Sequence, residues 1–161
     1  MALPPLVRLS AGLVSAAAGL GVLRFSGLYA DTAPHMFVSM LAGVSAFPAL
    51  AAAVVKPGAR VVTEGRLALV VVIFAAVTGA TIITASGSRL YLNLTSLSAI
   101  LLIAFASFRT RDTISGLSAL VMLAGSLCFA MQFSPTLILQ PADVLHLALA
   151  AGWWGIAARY R

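Results

Sequence analysis

The stretch "RLALVVVIFAAVTGATIITAS" (66–86) carries one charge at its first residue and none in the twenty that follow. A helix needs about 20 predominantly apolar residues to cross the hydrocarbon core of a bilayer. Six stretches of this kind follow one another along the chain, at roughly 6–28, 35–55, 66–86, 90–108, 113–133 and 143–159. Of the 161 residues, 61% are hydrophobic and only 9% charged. A water-soluble domain carries about 25% charged residues, and a small one leaves much of its chain exposed. Lipid is the solvent that suits such a chain. The runs are too long and continuous for the alternating segments of an outer-membrane barrel. Helices satisfy their own backbone groups in lipid. The expected fold is an all-α membrane protein, a compact bundle of six transmembrane helices forming a single domain over 1–161.

Short connections carry the breakers: Pro34, "KPGAR" (56–60), "SGSR" (86–89), "RTRD" (109–112) and "SPTLILQPAD" (134–143). Neighbouring spans joined so tightly run antiparallel. With the N-terminus inside, eight of the ten basic residues fall on the inner side: Arg8, Lys56, Arg60, Arg66, Arg109, Arg111, Arg159 and Arg161. The positive-inside bias therefore predicts N-in/C-in topology in a cytoplasmic-type inner membrane. The apolar stretch after Arg8 is long for a signal peptide and reads as a retained first span. Pro48 falls within the second span and predicts a bend there. Small residues in "SAAAGLG" (15–21), "LAGVSA" (41–46) and "GLSALVMLAGS" (116–126) suit close helix packing or an oligomer interface.

The formal charge is +6. The basic residues lie at the ends of apolar runs, without the clustered patch that nucleic acid requires. The expected partners are the bilayer with its anionic headgroups, and a homo-oligomer or larger membrane complex; nucleic acid is not among them. Cys128 is the only cysteine, so no internal disulfide forms. No GxSG nucleophile, Walker loop, HExxH or dinucleotide fingerprint occurs.

The polar residues that remain gather toward the outer ends of the spans. They are Arg24, Asp31 and His35 around the first outer loop, Arg89, Tyr91 and Asn93 around the second, and Gln132, Gln140, Asp143 and His146 around the third. "ADTAPH" (30–35) and "ADVLH" (142–146) each set an aspartate just ahead of a histidine at a helix start. An aspartate there bonds free helix N–H groups and complements the dipole, and capping is the simplest role for both. Ionisable groups inside a membrane bundle are also functional suspects. Arg24, near the end of an otherwise apolar span, either snorkels to headgroups or pairs with Asp31 or Asp143. Arg24, Asp31, Arg89, Tyr91, Asn93 and Asp143 are the candidate ligand-binding residues. His35, His146, Asp31 and Asp143 form a candidate divalent-metal set, since imidazole and carboxylate suit zinc.

The DxxH pattern of Asp143 and His146 resembles the membrane hydrolases of the ceramidase and adiponectin-receptor superfamily. That resemblance implies a metal-dependent lipid hydrolase at the outer leaflet. The superfamily uses three histidines, including an HxxxH pair, and this chain has two in all. His146, Trp153 and Gly155 resemble the His-x6-Trp-x-Gly run of copper-resistance D-type membrane domains and b-type haem proteins. That implies haem or copper handling, with His35 and His146 as ligands. The leading reading is non-enzymatic: a small membrane protein that binds or passes a small ligand or ion through an outward-facing Asp/His/Arg cluster. A purely structural subunit, its polar residues acting only as caps, is the bland alternative.

Overall fold

The computed structural model describes residues 3–25, 27–28, 31–133 and 140–160. The helices are α1 (Pro5–Phe25), α2 (Ala33–Leu41), α3 (Phe47–Val55), α4 (Arg60–Thr63), α5 (Gly65–Ser86), α6 (Leu90–Arg109), α7 (Thr113–Ala130) and α8 (Pro141–Ala158). A π-helical turn, Ala42–Ala46, joins α2 to α3 without a break. No strand occurs among the described residues.

Five helices are long and apolar enough to cross a membrane: Pro5–Arg24, Ala33–Val55, Gly65–Ser86, Leu90–Arg109 and Thr113–Ala130. This is compatible with a multi-pass helical membrane protein. The sixth expected span, α8, forms a helix of 18 residues but is not among the five. Asp143, His146 and the Trp153–Trp154 pair dilute its apolar content. The connection "KPGAR" holds more order than a plain loop, because α4 follows directly from Ala59. Of the third outer connection, residues 134–139 lie outside the described residues. Along α5, Val70, Phe74 and Val77 are all more than half exposed. Positions i, i+4 and i+7 lie on one helical face, and such an apolar face suits acyl chains.

The chain divides into two compact units whose boundary falls within α6. In the Pro4–Ala99 unit, α1 packs against α2, α3, α4, α5 and the π-helical turn. Leu6, Val7, Ala46, Leu50, Ala53 and Val62 are buried there. All five residues of the π-helical turn are buried as well. Its cause is Pro48, which has no N–H and whose ring collides with the carbonyl four residues back in a regular helix. The N–H of Phe47 donates to Ala42, five residues back. The Gly43 carbonyl thereby loses Phe47 as donor, and Pro48 has none to offer. The Ser96 hydroxyl of α6 donates to it instead, at 3.1 Å. Gly79 of α5 lets Val44 approach: a Cβ on Gly79 would lie 2.6 Å from the Val44 Cβ.

In the other unit, which comprises Ile100–Arg161 with Met1–Leu3, α7 and α8 form a closely packed pair. Met122, Ser118, Gly152, Trp153 and Ile156 are buried between or beside them. A Cβ on Gly152 would meet the Met122 side chain and lie 2.9 Å from the Ser118 carbonyl oxygen. Close backbone approach of this kind drives helix association where lipid offers no hydrophobic gain.

Candidate functional site

Among the described residues, a side-chain contact between two of the suspected residues joins α1 to α2. Arg24 occupies the last turn of α1, where the negative end of the helix dipole favours a cation. His35 stands in the first turn of α2, directly after Pro34. Proline suits a helix start because its fixed φ is already helical and the N–H it lacks would be unbonded. The Arg24 Nη1 lies 3.4 Å from the His35 Nδ1, in partly buried surroundings. A guanidinium has donors only, so in this contact the Nδ1 is the acceptor. At 3.4 Å the bond is long, near the outer limit of N–H contacts.

Gly21, one turn before Arg24, makes room for the imidazole. A Cβ at Gly21 would lie 3.1 Å from the His35 Nε2 and 3.4 Å from its Cδ2. The sequence marked Gly21 only as one of the small packing residues of "SAAAGLG" (15–21), not as part of a site. Its signal was a glycine three residues before an arginine, which places both on one helical face.

Asp31 is exposed, and its Oδ1 accepts from the Ala33 N–H at 2.9 Å. This is a turn that leads into α2, the local bond an aspartate makes with the backbone two residues on. Arg89 and Asn93 are exposed at the start of α6, and Tyr91 is half-buried. Asp143 closes a capping box at the start of α8: its Oδ2 accepts from the Gln140 N–H at 2.9 Å, while the Gln140 side chain accepts from the helix. Reciprocal bonding of this sort satisfies two orphan donors of a helix start. His146 follows three residues on, half-buried. Asp143 and His146 belong to the second unit, and Arg24, Asp31, His35, Arg89, Tyr91 and Asn93 to the first. Among the described residues, no group of three or more His, Cys, Asp or Glu side chains could hold a metal ion.

A further ionic contact was not foreseen. The Arg159 Nη1, just past α8, lies 3.4 Å from the Asp112 Oδ2, with the two side chains 22% and 21% exposed. Asp112 is also the N-cap of α7, and its Oδ1 accepts from the Ser115 N–H at 3.1 Å. Beside them, burial pushes the Tyr160 phenol above its ordinary pKa; Arg159 opposes that shift and Asp112 adds to it.

The Arg24–His35 pair offers a fixed cation beside an imidazole, where two otherwise apolar helices meet. Such a pair can bind an anion or a carboxylate through charge-assisted hydrogen bonds. No protein-family model, curated protein or solved structure matches the chain.

Proposed function

We propose that this chain is a six-span inner-membrane protein with both termini in the cytoplasm, and that it binds or passes a small anion at the outer end of α1 and α2. The bilayer is its partner, α8 serves as the sixth span, and Arg24 is the anion-binding residue. His35, Asp31, Arg89, Tyr91 and Asn93 line the approach from the outer water. The Arg24–His35 contact at 3.4 Å carries the reading. A guanidinium near the apolar end of a bundle is costly unless it pairs. Arg24 keeps its charge beside His35 at the end of an apolar helix, and a fixed guanidinium in that setting suits an anion.

Chloride is the probe. The full chain in phosphatidylcholine liposomes loaded with a chloride-quenched dye is expected to pass chloride faster than empty liposomes. The Arg24→Gln variant should lose about tenfold of that excess, as expected from deleting one charge-assisted hydrogen bond. Flux no greater than in empty liposomes, or undiminished in Arg24→Gln, refutes the reading.

A further inference from the structure

The turn between α6 and α7 is strongly basic, and the structure accounts for every charge on it except two. Arg109 and Arg111 are both exposed, and neither guanidinium is held in a hydrogen bond or ion pair among the described residues. The neighbouring carboxylate does not neutralise them, because Asp112 is taken up by Arg159 and by the α7 N-terminus.

Nor do the arginines serve the end of α6, where basic side chains often bond the last carbonyls. The backbone closes that end itself. The Asp112 N–H donates to Ser107 at 2.8 Å, the Arg111 N–H to Phe108 at 3.1 Å, and the Thr110 N–H to Ala106 at 3.0 Å. The Thr110 hydroxyl adds bonds to Ala106 at 3.0 Å and Ser107 at 3.1 Å. Arg111 sits in the left-handed region, φ 61°. That conformation disfavours any residue with a Cβ, and glycine is the usual occupant.

The surface on either side is apolar. Phe105 and Phe108 of α6 and Ile114 and Leu117 of α7 are all exposed. Two unpaired guanidiniums at a helix end, bordered by exposed aromatic and aliphatic side chains, match the two halves of a phospholipid. We propose that the α6–α7 turn is a binding site for an anionic phospholipid, with its phosphate on Arg109 and Arg111 and its acyl chains along Phe105, Phe108 and Ile114. Guanidinium groups match phosphate geometry better than ammonium groups do, and basic residues at a membrane face attract anionic headgroups. The site rests on the membrane reading above and is independent of the anion site at Arg24.

The test uses the full chain in non-ionic detergent, titrated with phosphatidylglycerol, with phosphatidylcholine and with inorganic phosphate. Native mass spectrometry counts bound lipid. Phosphatidylglycerol should bind saturably and phosphatidylcholine weakly. Binding should fall as salt rises from 50 to 300 mM, because the Debye length shortens and exposed charges are screened. Removal of one guanidinium should weaken binding roughly fivefold, and the double variant R109Q/R111Q roughly thirtyfold. The exchange R109K/R111K keeps the charges but not the planar fork, and should bind more tightly than R109Q/R111Q and less tightly than the unaltered chain. K56Q/R66Q, which removes basic residues flanking another turn, should leave it unchanged.

Equal binding of the two lipids overturns the proposal. So does an equal loss in K56Q/R66Q, which reduces the site to general surface charge, or competition by millimolar inorganic phosphate, which marks a soluble-anion site. Should R109Q/R111Q fail to assemble, the salt dependence of the unaltered chain decides alone, and salt-independent binding overturns the proposal. Co-purification in detergent with both lipids bound equally leaves the membrane reading standing while this site falls.

Discussion

Tyr160 shows how far one residue reports on its surroundings. Its phenol is raised above the ordinary value of 10.0, first by burial and then by the negative charge of Asp112, against the opposing charge of Arg159. A raised folded-state pKa means that the native protein holds the proton more tightly than the unfolded chain does. The stabilisation is complete below pH 10, the unfolded value, and drains away as pH rises from there through the folded value. Phenolate absorbance near 295 nm, taken as the difference between the unaltered chain and Tyr160→Phe, should therefore appear at higher pH than for free tyrosine. Asp112→Asn should move it back down, since Arg159 would then act unopposed. At this scale the sequence was only partly readable. Arg24 and His35 each stood out as costly groups in an apolar setting, but eleven residues separate them, and no local pattern announces that they touch. The Asp112–Arg159 pair spans the whole of α7 and α8, so neither partner predicts the other.

At the scale of the element, the second span is the informative one. Pro48 signalled a disturbance, and composition placed the helix correctly. The form of the disturbance depends on which carbonyl is released and what replaces its donor. That replacement is Ser96, from a helix that begins far along the chain. Ser96→Ala leaves the Gly43 carbonyl without its side-chain donor inside a buried segment. Interhelical hydrogen bonds in membranes average about 0.6 kcal/mol and reach about 1.7, so the cost should be about 1 kcal/mol. A lowered midpoint in thermal unfolding of the detergent-solubilised protein would register it. Ser98→Ala, on an exposed position two residues away, should leave the midpoint in place. The helix ends were more legible. Pro34 and Pro141 open helices as proline does, and Gly87 closes α5 at φ 61°. Arg111 and Gln132 hold the same left-handed conformation after α6 and α7, where a pattern search for glycine finds nothing.

For the whole molecule, the proposed topology makes a plain demand. In a Cys128→Ser background, single cysteines at positions 56, 111 and 159 should react with an impermeant thiol reagent only after the cytoplasmic side is exposed. Cysteines at 31, 89 and 143 should react from outside. The discriminating position is 143, because α8, though as long as α7, is not among the five helices apolar enough to cross a membrane; reaction of positions 143 and 159 from one side would remove it from the spans. The all-helical character and five of the apolar helices were legible because hydrocarbon imposes a single blunt rule, a minimum length of apolar helix. The candidate site was less so, because pairing across helices depends on packing that composition does not encode. Gly21 and Gly79 matter through what stands opposite them, and that is a property of the fold.

The π-helical turn has a consequence for relatedness. Its five residues take one more position than an ordinary helical turn over nearly the same rise, and one residue corresponds to about 100° of rotation. Everything before Ala42 is thereby offset against everything after Ala46. A cousin of this protein built with a uniform helix would be one amino acid shorter in the middle of its second membrane crossing, and would superimpose on both halves only if the gap were allowed there.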